Sequence, residues 1–154
     1  PVKTLEKIIL SYITNNFIHI SHQHGFKAKH STTTALDTLN NIITTGFNRR
    51  YHIPPPNQRT VTPALNMSKV FDTVDTHKLP HTLHNTLTSF LPTIIKFIAN
   101  CIKGRKQYTK YNNTTPSSRR TKSGIPYGGI LSQKLLNIYT SEIPAVPPNI
   151  THII

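Results

Sequence analysis

A glycine-rich loop followed by an amphipathic helix is the stretch of this sequence best suited to bind a ligand. Three glycines and one proline fall within six residues, at Gly124, Pro126, Gly128 and Gly129. This density excludes a helix or a central strand. Apolar residues then recur at helical spacing, at Leu131, Leu135, Leu136 and Tyr139. Ser132 has the position expected of an N-cap. Such a loop allows the backbone to approach a ligand closely at a helix N-terminus.

Carboxylates, which divalent metal chemistry requires, are scarce. The chain has five: Glu6, Asp37, Asp72, Asp75 and Glu142. Asp72 and Asp75 lie at the entry to a predicted helix, where we expect them to act as capping or dipole partners. We expect the other three to be solvated, with Asp37 on the polar face of a helix.

Histidine and cysteine do not predict a metal site. His22, His24 and His30 are close in sequence, but no cysteine or carboxylate lies near them. The single cysteine, Cys101, excludes an internal disulfide. Because Cys101 falls on an apolar helical face, we expect it to be a small buried core residue.

The chain is strongly basic. Lys and Arg total 18 against five acids, giving a net charge of +13 and a pI near 10.2. This surplus favours a polyanionic partner such as nucleic acid, although the charge is spread along the chain and a solvated basic surface is the alternative. No apolar run approaches membrane-spanning length and no signal peptide is visible. We therefore predict an intracellular protein without a membrane partner, in the nucleus or the cytoplasm.

Several segments, in order, resemble motifs of the reverse transcriptases of non-LTR retrotransposons of the LINE/Jockey type. Residues 122–139 contain Gly-Ile-Pro-Tyr-Gly-Gly-Ile-Leu-Ser and then Asn-Ile-Tyr, similar to Gln-Gly-x-Pro-Gln-Gly-x-x-Leu-Ser-Pro-x-Leu-Phe-Asn. Residues 64–74 read Ala-Leu-Asn-Met-Ser-Lys-Val-Phe-Asp-Thr-Val, against Ala-Ile-Asp-Leu-Ser-Lys-Ala-Phe-Asp-Thr-Val in the family. Gln-His-Gly-Phe-Lys at 23–27 is similar to the family's Gln-x-Gly-Phe-Arg, and residues 3–8 to Lys-x-Leu-Glu-Lys-Ile.

The resemblance implies an RNA-directed DNA polymerase, a nucleotidyltransferase that uses two Mg²⁺ ions. Asn66 occupies the position of the family's first catalytic aspartate, and the Tyr-Ala-Asp-Asp motif with the other carboxylates is absent. Phe71 matches an aromatic ring that excludes the ribose 2′-hydroxyl. Tyr127, which precedes Gly128, replaces a glutamine that contacts the incoming nucleotide. We therefore expect nucleotide-binding positions without polymerase activity and without a bound cofactor.

The same resemblance implies an RNA or DNA template–primer as the partner. The expected phosphate contacts flank the segment at 23–27, which lies in the fingers region of the family, and a hairpin predicted across 106–122. They are Lys27, Lys29, Lys103, Arg105, Lys106, Arg119, Arg120 and Lys122. Three interpretations remain open. The chain is an inactive fragment of a reverse transcriptase, a basic nucleic-acid-binding module on the same scaffold, or a pseudogene product without function. The sequence does not predict the oligomeric state.

The predicted fold is α+β, a single partial reverse-transcriptase domain that stops before the second carboxylate motif. Residues 1–58 correspond to fingers-like helices and residues 59–154 to a palm-like part. Periodicity predicts helices near 3–14, 32–48, 92–103 and 132–142, and a short helix within 75–87. We also predict adjacent palm strands near 60–66 and 151–154, and a hairpin across 106–122.

Overall fold

The computed structural model describes residues 2–17, 22–49, 61–86, 92–107, 117–144, 147, 150–151 and 153–154. The chain divides into two compact units. The first unit comprises Pro1–Ile18 and Ser68–Pro144, and the second comprises His19–Met67 and Ala145–Ile154. The first unit is therefore discontinuous in sequence. None of the described helices is long and apolar enough to cross a lipid bilayer.

Helices dominate the described residues. In chain order the elements are α1 (Val2–Asn16), α2 (Thr32–Arg49), α3 (Val70–Thr73), α4 (Lys78–Thr86), α5 (Pro92–Ile102), β1 (Lys106–Gln107), β2 (Arg119–Arg120) and α6 (Ser132–Thr140). The four longer helices predicted from periodicity are confirmed, and so is the short helix within 75–87. Pro80 is tolerated in α4 because it lies in the first turn, where a backbone amide has no intrahelical acceptor.

The core of the first unit is built from one apolar stripe on each of four helices. Its buried members are Ile9, Ile13 and Phe17 from α1 and the residue after it, Leu79 and Leu83 from α4, Ile98 and Ile102 from α5, and Leu135, Leu136 and Ile138 from α6. Val74, after α3, and Ile125 and Leu131, before α6, complete it. Each fully buried aliphatic side chain contributes about 1.5–3 kcal/mol. The glycine-rich loop is therefore anchored at both ends, because Ile125 and Leu131 are both buried in this core.

Lys134 is buried on α6 beside this core. Its Nζ lies 4.6 Å from the centroid of the Phe17 ring, a cation–π contact. Burial lowers the pKa of the Lys134 ammonium, because the charged form loses hydration. α6 is thus buried on more of its surface than its apolar stripe alone predicts.

The prediction that Cys101 is buried is wrong, because its side chain is exposed. Ile98 and Ile102 mark the centre of the buried stripe of α5. At 3.6 residues per turn, Cys101 lies about 80° from that centre, at the edge of the stripe. Gly104 follows the end of α5 and is in the left-handed conformation, at φ +65°.

The second unit begins its helix with a reciprocal cap. The Thr34 N–H donates to Ser31 Oγ over 3.3 Å, and the Ser31 N–H donates to Thr34 Oγ1 over 2.9 Å. Ser31 is therefore the N-cap of α2. The predicted apolar face of α2 is only half-buried, and Leu36 and Phe47 on it are exposed.

The prediction of adjacent palm strands at 60–66 and 151–154 is wrong. Residues 61–67 have no regular structure, and neither do residues 151, 153 and 154. Pro63 cannot donate to a strand ladder, and the side chain of Leu65 is 92% exposed. Ordering this segment as a strand would therefore bury too little to offset its conformational entropy. Instead, the Ile154 N–H donates to the His22 carbonyl, and the Ile154 carbonyl accepts from His24 and Gly25.

The predicted hairpin is confirmed where the structure describes it. β1 and β2 are antiparallel, with Lys106 opposite Arg120 and Gln107 opposite Arg119. Residues 108–116 of the predicted hairpin lie outside the described residues. β2 ends at Arg120, before the predicted end of the hairpin at residue 122, and the chain then turns toward α3, where the Ser123 hydroxyl donates to the Asp72 carbonyl.

Candidate nucleotide and nucleic-acid site

Backbone hydrogen bonds join the start of the glycine-rich loop to the segment around α3. The Gly124 N–H donates to the Val74 carbonyl and the Ile125 N–H donates to the Phe71 carbonyl, each over 2.8 Å. The Ser123 hydroxyl donates to the Asp72 carbonyl over 2.8 Å. The structure thus places the ends of two motif segments, 64–74 and 122–139, side by side.

Only glycine fits at position 124. Gly124 has φ +88°, and a Cβ there would lie 2.7 Å from the Phe71 carbonyl oxygen and 2.8 Å from Asp72 Cα. Both neighbours are backbone atoms, which cannot rotate away as a flexible side chain could. The absence of a side chain therefore permits the loop to approach α3 closely.

Arg105, a predicted phosphate contact, also holds this loop. Its guanidinium donates to the Gly124 carbonyl over 2.9 Å and to the Ile102 carbonyl over 3.4 Å. Burial lowers the pKa of the guanidinium, and the negative charge of Asp72 opposes that shift. Since an arginine carries five N–H donors, the remaining ones can still face an anion.

A turn of four residues follows, and the prediction for Ser132 is wrong in its detail. The Ser132 hydroxyl does not cap α6; it donates to the Pro126 carbonyl, which also accepts the Gly129 N–H over 3.4 Å. Leu131 precedes the helix and makes no side-chain cap. Gly128, at the third position of the turn, has φ +71°. The Ser132 hydroxyl therefore stabilises the turn at residues 126–129 by a hydrogen bond within the loop.

Glu6 supplies the contact expected of a cap. Its Oε2 accepts the Ile130 N–H over 3.0 Å. The prediction that Glu6 is a solvated surface charge is therefore wrong. The sequence around Glu6 carries no signal for this contact, because its partner is 124 positions away. One amide at the entry to α6 is thus already occupied by a carboxylate.

The three positions for which the resemblance implies nucleotide binding are close together. The ring centroids of Phe71 and Tyr127 are 5.1 Å apart, with the rings tilted by 44°. Gly128, next to Tyr127, is exposed. Phe71 is half-buried while Tyr127 is 66% exposed. The turn therefore presents an aromatic side chain to solvent with a second ring against it.

Asn66, at the position of the family's catalytic aspartate, belongs to the second unit and is exposed in a segment without regular structure. An amide side chain brings no negative charge that could hold a divalent cation. Across the residues that the structure describes, no group of three or more His, Cys, Asp or Glu could hold a metal ion. Within the described part of the chain, Asn66 therefore does not belong to a carboxylate cluster that could bind a metal ion.

Two of the other carboxylates and two of the histidines have side-chain partners. Asp75 accepts the His77 and Lys78 N–H groups over 2.7 and 3.2 Å, which confirms it as the cap of α4. Those hydrogen bonds lower the pKa of Asp75 below its ordinary 3.8. Glu142, predicted to be solvated only, forms an ion pair with Lys78 at 3.2 Å. In the second unit, the rings of His24 and His30 meet edge to face, with centroids 5.2 Å apart.

The predicted phosphate contacts divide between the two units. Lys27 and Lys29 belong to the second unit, where Lys29 is exposed with φ +63°. The first unit carries the exposed cations of the hairpin and the residues beside it: Lys103, Lys106, Arg119, Arg120 and Lys122. We call Lys106, Arg119, Arg120 and Lys122 the basic hairpin surface. Lys106 and Arg120 face each other directly across it.

No protein-family model matches this chain. No curated protein matches it significantly.

Proposed function

We propose that this chain is an inactive fragment related to non-LTR reverse transcriptases, and that its retained activity is binding of nucleic acid through phosphate contacts. The observation that carries the proposal is the cross-strand pairing of Lys106 with Arg120. The motif resemblance supports the relationship, and the contact between residues 71–74 and 123–125 is compatible with it.

Like charges directly opposite each other on two strands destabilise a hairpin. The basic hairpin surface holds four exposed cations. Among the described residues, no carboxylate forms an ion pair with any of these four cations. The ion pair seen there joins Lys78 and Glu142. A phosphate between Lys106 and Arg120 would replace repulsion with two attractions. The surface is therefore suited to a polyanion.

The expected binding is independent of base sequence. The hairpin strands are two residues long in the described part, and their exposed side chains there are mainly charged. Lys and Arg contacts to phosphate position a nucleic acid but carry no sequence information. We therefore expect affinity to follow salt concentration rather than base composition.

Salt titration tests this proposal. Each phosphate neutralised on a single strand contributes a slope of about −0.7 to a log–log plot of affinity against salt, so four contacts give about −3. The double substitution Arg119→Ala with Arg120→Ala should flatten the slope by about 1.4 without changing any base preference.

A matched control removes the same charge elsewhere in the first unit. Lys3 and Lys7 are exposed on α1, and replacing both with alanine should leave the slope almost unchanged. Equal slopes for the two double variants would show a diffuse basic surface instead of a site. Binding that barely responds to salt would refute the proposal outright.

The expected absence of polymerase activity has its own test. Two-metal nucleotidyl transfer needs carboxylates that clamp the metals and the substrate phosphates, and position 66 holds a neutral amide. Purified chain should show no primer extension on an RNA template with magnesium or manganese. The variant Asn66→Asp should also be inactive, because one restored carboxylate does not rebuild the set. Extension above a buffer control by the unaltered chain would contradict this expectation.

A further inference from the structure

Tyr127 is an aromatic ring held out in solvent at the tip of a turn. Its side chain is 66% exposed. The ring contacts Phe71, but most of its surface faces solvent and adds little to the core of the first unit. Its neighbours in sequence, Pro126 and Gly128, set the turn that presents it.

The ring is presented on a fixed support. The Pro126 carbonyl accepts hydrogen bonds from the Gly129 N–H and the Ser132 hydroxyl, which close the turn on both sides of Tyr127. Phe71 contacts the ring at 5.1 Å between centroids, and the Phe71 carbonyl accepts the Ile125 N–H. Stacking of a ligand on Tyr127 therefore costs little conformational entropy, because the loop beneath the ring is already ordered.

Positive charge lies within reach of the ring. Tyr127 follows Lys122 by five positions, a path of at most about 17 Å even if fully extended. About five nucleotides of a stacked strand cover that length, at 3.4 Å per nucleotide. One short strand can therefore contact the basic hairpin surface with its phosphates and Tyr127 with a base.

We propose that Tyr127, backed by Phe71, is a stacking platform for a base of single-stranded nucleic acid. The inference rests on the proposed function, since the phosphates of the same strand lie on the basic hairpin surface. Every base has a π-face, so stacking tolerates any sequence. In a duplex those faces are already stacked on neighbouring bases. The platform therefore selects single strands over duplexes, which phosphate contacts alone do not do.

The test compares a single-stranded oligonucleotide of mixed sequence with its own duplex, using the full chain. Tyr127→Ala should weaken single-strand binding by roughly 5- to 150-fold, the range for the loss of one stacked base. It should leave duplex binding and the salt slope unchanged, because stacking releases no counterions. Tyr127→Phe, which keeps the ring, should bind as the unaltered chain does. Phe47→Ala, which removes an exposed ring from α2, serves as the control and should have no effect.

Tryptophan fluorescence gives a second readout, which reports stacking at position 127 directly rather than affinity. The chain contains no tryptophan, so Tyr127→Trp introduces a single reporter at the platform. Its fluorescence should be quenched by the single strand and not by the duplex. Salt-dependent binding with no loss in Tyr127→Ala and no quenching in Tyr127→Trp would overturn the platform while leaving the phosphate contacts in place. Absence of salt-dependent binding by the unaltered chain would overturn both proposals.

Discussion

Replacing Gly124 with alanine should lower the free energy of unfolding of the first unit by about 1.5–6 kcal/mol. Three costs contribute. A non-glycine residue at φ +88° costs about 1–2 kcal/mol. A Cβ at 2.7 Å from the Phe71 carbonyl oxygen forces the backbone apart, and overpacking of this kind costs about 1–3 kcal/mol. The shift also weakens the hydrogen bond from the Gly124 N–H to the Val74 carbonyl, whose net contribution is about 0.5–1.5 kcal/mol. The reduced entropy of the unfolded chain offsets about 0.4–1 kcal/mol.

Gly104 offers a matched control in the same unit. Its φ is +65°, but a Cβ there would meet nothing within 4 Å. Gly104→Ala should therefore carry the conformational cost alone, about 0–1.6 kcal/mol after the entropic offset. Urea and thermal unfolding followed by circular dichroism measure both variants, and the melting temperature should fall by about 4–8 °C for each kcal/mol of stability lost. Equal destabilisation by the two substitutions would refute the close approach of the loop to α3.

Two further predictions concern the helices of the first unit. Ile9 is 5% exposed and its neighbour Ile8 is 63% exposed, so Ile9→Ala should cost about 2–5 kcal/mol in thermal or urea unfolding and Ile8→Ala much less. Similar losses at both positions would show that α1 is rotated from the orientation described. Asp75 has a pKa lowered from 3.8, so its cap stabilises α4 above about pH 4, and this contribution is lost as the pH falls through the folded-state pKa. Asp75→Asn should therefore show a smaller loss of stability on acidification than the unaltered chain, and an unchanged acid profile would contradict the cap.

The helices could be predicted from the sequence because their signals are local. An apolar stripe of period 3.6 defines α1, α2, α5 and α6, and Ser31 and Gly104 mark two of their ends. Ser132 fails as a cap for an equally local reason. Its hydroxyl has an acceptor nearby in the Pro126 carbonyl, which the turn of two glycines brings within reach.

The strands and the site contacts depend on partners far along the chain. The apolar residues of 61–67 suggested a strand, but the described structure gives them no partner strand. The pairing of Gly124 with Val74 and of Glu6 with Ile130 likewise joins distant segments. The motif resemblance singled out Phe71 and Tyr127, yet it did not predict that the two rings are in contact.

The discontinuity of the first unit has a consequence during synthesis on the ribosome. The apolar face of α1, with Ile9 and Ile13, completes its core only with residues near 131–138, and the Glu6 contact spans 124 positions. At a translation rate of about 5–20 residues per second, α1 waits roughly 6–25 s for these partners. During that interval its apolar side chains are available to chaperones and to other nascent chains. Early exposure of α1 is therefore a stage of synthesis at which this chain is prone to aggregate.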